Sequence, residues 1–382
     1  MVYSDSDILG YRLDAEHHDA VYDELAFNQT SKLGVQFNYR INPKFDVVGQ
    51  FLYRGEHTDT FDKLTKIAFI RYQLTNNWSV RFGRTPLDVF LLTKFRDIDS
   101  AIPWANVPKD VYSMHPTRSV DGVDVIYSRL FDDVELRAKF YWGHSEFTLN
   151  NVQLSDDEIQ LDSLRGLSLE LSAVDWLVSL KYSDSDFKDA ESVFGDWSNL
   201  ILALSPIWPD AHQFVEDLSF DNYKFDYFAL GGRFDFDKFS VYSELTRISG
   251  TSSFVRQLDS GYISAVYNQG DFDYFIGFGK THGDSYNLVL EEELNIPPSS
   301  YPPEIPFVFD LLNTTMNIFA PKQETIFVGF SWYLNDNWSF KMQLDVTDVE
   351  EGGGTLWTQK SFGRLQTDEQ VNTLFMNLSF NF

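Results

Sequence analysis

The chain has 382 residues, 57 acidic against 30 basic side chains, a net charge of −27 and no cysteine. The charge excludes a nucleic-acid binder, which needs clustered cations, and the missing thiols exclude disulfides, thiolate metal sites and a cysteine nucleophile. Mean hydropathy is −0.26 and no run approaches 18 apolar residues, which excludes a transmembrane helix but not membrane strands, whose alternation hides their hydrophobicity.

Met1 is followed at once by Val2-Tyr3-Ser4-Asp5, without the basic and apolar regions of a signal peptide. A processed export product begins this way, and so does a cytoplasmic protein. Residues 2–13 alternate poorly. From Lys32 to Ile41, Leu33, Val35, Phe37, Tyr39 and Ile41 form one face, and Lys32, Gly34, Gln36, Asn38 and Arg40 the other, the period of a strand. After the turn Asn42-Pro43-Lys44, Phe45, Val47, Gly49, Phe51 and Tyr53 oppose Asp46, Val48, Gln50, Leu52 and Arg54. Ala68, Ile70, Tyr72 and Leu74 then oppose Phe69, Arg71 and Gln73, and beyond Asn77, Val80 and Phe82 oppose Ser79, Arg81 and Gly83. Further strands are predicted near 119–129, 133–143, 165–173, 176–184, 223–235, 239–249, 258–268, 272–283, 323–334, 338–348 and 369–382. In the last, Leu374, Met376, Leu378, Phe380 and Phe382 share an apolar face.

Short turns at 42–44, 75–77, 132–133, 174–175, 237–238, 269–271 and 335–337 alternate with long connections near 87–118, 144–164, 185–222, 284–322 and 349–368. This two-sided asymmetry fits one closed barrel better than a sandwich or propeller, whose spacing is more even. The 35 Phe, 19 Tyr and 9 Trp suit strands and interfacial girdles. Fifteen strands are counted, and because single-chain barrels have even numbers, residues 2–13 are the place for a sixteenth. The expected fold is all-β: one domain over 1–382, a transmembrane antiparallel β-barrel of 16 strands. Trp78, Trp176 and Trp338 each open a strand after a short turn and, with Phe382, predict a girdle at the short-turn end; the alternative is hairpin aromatics capping a soluble core.

The stretch Trp78–Tyr127 carries Arg81-Phe82-Gly83-Arg84-Thr85-Pro86, Phe90-Leu91-Leu92, Asp97 to Trp104, Val107-Pro108, Val111-Tyr112 and Asp121-Gly122-Val123-Asp124-Val125-Ile126-Tyr127. It resembles a branch of Gram-negative porin-like outer-membrane proteins related in architecture to the general and phosphate-selective porins. The terminal strand resembles the closing strand of such barrels, whose last aromatic residue the assembly machinery reads. The resemblance implies a 16-stranded barrel in the bacterial outer membrane, with short periplasmic turns and long external loops. It also implies contact with outer-membrane lipid and lipopolysaccharide, passage of small solutes or ions, and often a homotrimer. Through this resemblance, 87–118 is the loop that folds inward and narrows the pore; an external loop packed over the rim is the alternative.

The inward face carries Arg40, Arg54, Arg71, Arg81, Arg137 and Lys139 on early strands, and the loop carries Lys94, Arg96, Asp97 and Asp99. A basic wall facing Asp97 and Asp99 would set a transverse field across a constriction. Inward acids, Asp124 among them, nearly balance the cations and leave a salt-bridged lumen as the alternative. No G-x-S-x-G, H-E-x-x-H or P-loop is present, and His17, His18, His57, His115, His144, His212 and His282 are scattered, so no enzyme and no cofactor is expected. His144 beside Ser145 and His282 near Ser285 are the weak exceptions. Acidic external loops such as Glu291-Glu292-Glu293 could take Ca²⁺, without a spaced ligand motif. Residues 194–216 predict one or two helical turns with an apolar side, and 284–322 a proline-rich cover. The expected function is a passive diffusion channel for small hydrophilic solutes or ions. The alternatives are a plugged or capped barrel acting as scaffold or receptor, and a soluble all-β binding protein.

Overall fold

The structure, a computed structural model, describes all residues except 15–16, 18, 55–59, 116, 152–153, 189–194, 219–222, 251–256, 318–319, 351–355 and 360–367. His18, His57 and much of the 349–368 connection lie outside the described residues. In chain order the elements are β1 (Val2–Ser4), β2 (Leu9–Tyr11), β3 (Glu24–Ala26), β4 (Lys32–Asn42), β5 (Phe45–Arg54), α1 (Phe61–Leu64), β6 (Thr65–Gln73), β7 (Trp78–Pro86) and α2 (Lys109–Tyr112). Then come β8 (Ser119–Phe131), β9 (Val134–Asn151), β10 (Leu154–Ser172), β11 (Trp176–Lys188), α3 (Gly195–Ala203), α4 (Ala211–Leu218), β12 (Lys224–Phe236), β13 (Phe239–Gly250), β14 (Gln257–Gln269) and β15 (Phe272–Gly283). The chain ends with α5 (Leu290–Glu293), α6 (Ile305–Asn317), β16 (Lys322–Tyr333), β17 (Trp338–Val349), β18 (Trp357–Gln359) and β19 (Glu369–Phe380).

Fifteen long strands, β4 to β17 and β19, pair antiparallel in sequence order within one 17-stranded sheet. β1 takes the sixteenth place: it pairs with β19 through Val2↔Phe375 and with β3 through Val2↔Ala26. β3 leads directly into β4; among the described residues no ladder joins β4 itself to β19. Only Val2–Ser4 of the expected 2–13 strand lies in this sheet, because the chain then turns inward and β2 pairs with β18 instead.

Tight turns at Asp132, Asp237 and Gly270 have φ of 51°, 46° and 62°, the left-handed geometry of hairpins whose twist matches their strands. Gly83 has φ of 122°, and an added Cβ would stand 2.4 Å from the Ala68 carbonyl, so no side chain fits there. The 144–164 segment, expected as a loop, is mostly hairpin: β9 and β10 stay paired out to Asn151↔Leu154. A register shift between Leu161 and Leu164 breaks the alternation that would have revealed it.

Outward side chains are apolar and bare. Phe37, Phe82, Leu245, Ile276 and Leu378 are 60%, 71%, 60%, 57% and 65% exposed. In water such a continuous surface would aggregate; in a bilayer it is the lipid face of a barrel. Inward side chains on β11 to β17 are buried, Lys181, Tyr227, Ser264, Phe327 and Lys341 among them, because chain from inside the barrel covers them.

Candidate functional site: the lumen and its inward segment

Residues 87–118 enter the barrel and lie against its late-strand wall. Lys181 of β11 donates to Asp88 at 2.6 Å, and Glu244 of β13 accepts from the Leu91 backbone N–H at 2.8 Å. Trp104, fully buried, donates to Ser264 Oγ at 3.0 Å and meets Tyr242 and Tyr262 edge-on. Gln343 Oε1 accepts from Ala105 and Asn106 N–H groups at 3.0 and 3.1 Å, and Lys341 donates to the Asp99 and Ile102 carbonyls. Asp110 accepts from Gln323 at 2.8 Å and Thr325 at 3.2 Å. Polar wall groups thus satisfy the segment's backbone, while Phe90, Trp104, Val111 and Tyr112 join Tyr227, Tyr262 and Phe327 in one apolar core. Burial pushes the Asp110 carboxyl up to about 6 and the His115 imidazole down to about 3.

Two external covers extend that core. Trp208, between α3 and α4, stacks at 4.9 Å on both Phe214 and Phe309 and donates to Glu293 at 2.9 Å. On α6, Asn313 and Asn317 lie one turn apart and hydrogen-bond the backbones of Leu288 and Tyr286 in both directions. The chain after β1 adds a third cover. Tyr11 accepts from Asn106 at 3.3 Å, and the Lys109 ammonium lies between the rings of Tyr11 and Trp357, at 4.3 and 4.1 Å.

The wall of early strands is different. Gln36, Asn38 and Arg40, which alternate inward on β4, are exposed. Near the short-turn end Arg40 and Arg71 share Asp46, at 3.2 and 2.6 Å. Higher up, Arg81 grips buried Asp124 at 2.6 Å, and Lys139 stands 3.7 Å from the same carboxylate while donating to the Pro86 carbonyl. Arg137 of β9 faces Glu170 in the ladder, and Lys94 reaches Glu170 at 3.4 Å. Asp97 sits beside Arg54 and 2.8 Å from Arg118; Arg118 also binds Asp14 at 2.9 Å. Asp99 is held by Lys32 at 2.5 Å and Ser379 at 2.6 Å. Asp97 and Asp99 therefore touch their cations directly instead of facing them across a gap. Burial alone would raise the Asp97 carboxyl, but Arg54 and Arg118 outweigh it and hold it well below the carboxylate range.

These groups surround a cleft of about 60 Å³, whose charged lining residues are Asp14, Lys32, Arg54, Arg96, Asp99 and Arg118. Arg118 and Asp14 were not singled out by spacing, and Lys32 was read on the polar face of its strand without a role in the site. Arg118 closes the inward segment just before β8, and Asp14 lies in irregular chain that no periodicity marks. Trp78 and Trp338 are 45% and 41% exposed at the starts of β7 and β17, Trp176 is half-buried at the start of β11, and Phe382 is 90% exposed. All lie at the short-turn end. His144 and Ser145 are adjacent in β9 and point to opposite faces; the Ser145 hydroxyl donates to the Ser119 carbonyl.

An antiparallel barrel with a bare apolar exterior and a long segment folded inside after an early hairpin has the porin fold. No family model and no curated protein sequence matches the chain. Among solved structures it is similar to the anion-selective porin from Comamonas acidovorans (TM-score 0.54, 10% identity, 100% of this chain and 98% of that one). It is also similar to the outer-membrane channel DcaP of Acinetobacter baumannii (TM-score 0.54, 13% identity, 99% and 96%) and to OmpF of Salmonella typhi in complex with daunomycin (TM-score 0.53, 13% identity, 99% and 97%). At these identities the likeness defines the fold and leaves function to the site.

Proposed function

We propose that the chain is an outer-membrane porin, a passive channel for small hydrophilic solutes or ions. The observation that carries this reading is the asymmetry of the lumen. The inward segment is fastened to the late-strand wall, while Gln36, Asn38 and Arg40 on the early wall face water. A charged cleft lies between that wall and the segment. Arg40, Arg71 and Lys94 would line the approach; Arg54, Arg96, Asp97, Asp99 and Arg118 the narrowest part; Arg81, Asp124, Arg137 and Lys139 would brace the wall. Trp78, Trp176, Trp338 and Phe382 would mark the periplasmic interface. Lipid and lipopolysaccharide would contact the apolar exterior, and a homotrimer would bury part of it. Known channels of this fold, one of them anion-selective by name, support the reading.

The second reading, a plugged barrel serving as scaffold or receptor, is favoured by one observation: the inward segment, α3, α4 and α6 share a single apolar core. Single-channel recording in a planar bilayer under a salt gradient separates the two. Stable conductance steps support the porin, and the reversal potential gives its selectivity. Insertion without current supports the plug.

A further inference from the structure

The chain between Ser4 and Glu24 leaves the sheet and returns to it at one point. Ser4 and Glu24 are register partners in the β1–β3 ladder, and the Asp23 N–H donates to the Ser6 carbonyl at 2.8 Å across the neck of the loop. Asp23 turns the chain with a φ of 39°, left-handed geometry that is costly for a non-glycine residue. Beside it, Asp5 accepts from the Asn372 backbone and side chain at 2.7 and 2.6 Å, which ties the neck to β19. A loop whose ends meet and which is braced within itself is a compact body, and here Tyr11 and Val21 exchange both backbone bonds at 2.9 Å.

Different forces hold the two sides of this loop. Toward the wall, Leu9, Tyr11 and Val21 share a small apolar core with Trp357, Val371 and Phe375, separate from the large core around Phe90. Toward the lumen the contacts are mostly polar. Asp14 reaches Arg118 at 2.9 Å and Arg54 at 3.6 Å, Ser113 donates to the Leu13 carbonyl at 3.1 Å, and Asn106 donates to Tyr11 at 3.3 Å. The buried Lys109 ammonium meets two rings and, among the described residues, no hydrogen-bond acceptor, so the closed arrangement carries a cost that its release would relieve. Leu13 and Asp14 line the cleft and leave it about 60 Å³, room for a few waters only. We propose that this loop is a gate. It is hinged on β19, latched by Asp14 to Arg54 and Arg118, and opens the cleft by swinging away from the inward segment. Unlatching strands neither arginine, because both keep Asp97. That the space so opened is the solute path rests on the porin reading; the movement itself does not.

The chain has no cysteine, so Leu13→Cys makes a thiol that reports on the loop alone. With the full chain in liposomes, a charged maleimide should label that thiol slowly, and adding Asp14→Asn should raise the rate about tenfold, since labelling follows the population of the open form. In planar bilayers Asp14→Asn should raise the time spent in the open level. Leu13→Cys with Ser113→Cys should lose that level when the disulfide is formed and regain it on reduction. Should Asp14→Asn fail to give a heat-modifiable barrel, the disulfide pair carries the test; should the pair fail to oxidise, Asp14→Asn carries it. Labelling that Asp14→Asn leaves unchanged overturns the gate, as does a current that is the same with the disulfide formed and reduced. Labelling that responds in a protein passing no current leaves the moving loop standing and defeats the porin reading. Steady current with unresponsive labelling does the reverse.

Discussion

The ammonium of Lys181 on β11 donates both to the Asp88 carboxylate at 2.6 Å and to the Phe90 carbonyl, with the two side chains only 2% and 5% exposed. One wall residue thus fixes the entry of the inward segment into the lumen. Lys181→Met would strand a buried carboxylate, at a cost of about 3–5 kcal/mol. Lys139 and Lys94 also act on Asp88, which places the loss toward the lower end. The expected outcome is a fall in the temperature at which the folded gel band disappears. Adding Asp88→Asn should recover much of it, because the stranded charge is then gone.

Arg71 and Arg81 should behave differently although they alternate alike. The Arg71 side chain is 40% exposed, while Arg81 is 11% exposed on an Asp124 that is fully buried. Arg71→Gln should shift the reversal potential toward cations with little change in stability. Arg81→Gln should chiefly destabilise the barrel, leaving Asp124 to Lys139. Reversal potentials and thermal gel shifts on both variants check this, and an unchanged reversal potential for Arg71→Gln would remove that residue from the conducting path.

Asp110 should give stability a pH dependence. Burial raises its carboxyl from 3.8 to about 6, opposed by the Gln323 and Thr325 hydrogen bonds. A carboxyl raised in the folded state contributes its full share below pH 4. That share is lost as pH rises toward 6 and beyond, by up to about 3 kcal/mol. His115, lowered to about 3 by burial, acts in the opposite sense, since stability falls as pH drops from 6.5 toward 3. Lys109 and Asp345 also face Asp110. Denaturant midpoints of Asp110→Asn should decline less between pH 4 and 7 than those of the parent chain, the buried carboxyls of Glu244 and Asp345 supplying the remainder.

Trp104 tests whether the inward segment narrows the pore. Trp104→Ala removes a fully buried indole and its bond to Ser264, at about 3–5 kcal/mol. If the segment is the constriction, single-channel current through this variant should be larger and noisier than in the parent. Unchanged current would assign the narrowing elsewhere.

The long strands were legible because one face of each meets lipid. Leu33 to Ile41 and Leu374 to Phe382 show it most clearly, since lipid demands apolar side chains at every second position. The packed lumen was not legible. On β12, Phe225 and Tyr227 point inward while Phe228 and Leu230 point outward, so an apolar run replaces the polar lumen face that alternation predicts. Those inward rings meet Phe90 and His115, some hundred positions earlier in the chain. Pairs such as Arg54 with Asp97 and Arg118 with Asp14 join a strand or an irregular stretch to the inward segment, and no local period encodes them. The early basic residues and Asp124 were readable as inward; the pairing of Arg54 and Arg118 with Asp97 and Asp14 was not.

The clasp around Lys109 constrains the order of assembly. Its two rings come from β2 and β18, and Tyr22 donates to the Thr358 carbonyl across 336 residues. Neither ring pair nor miniature sheet can exist until the last quarter of the polypeptide has arrived. Contacts this distant form late, after the entropy of closing such a span has been met. The seam of the barrel, Val2 against Phe375, joins the same two ends of the chain, whereas Phe90 and Trp104 find their neighbours on the strands between. Seam and clasp are therefore made from the same late-arriving stretch, and a chain cut short of Trp357 would lose both.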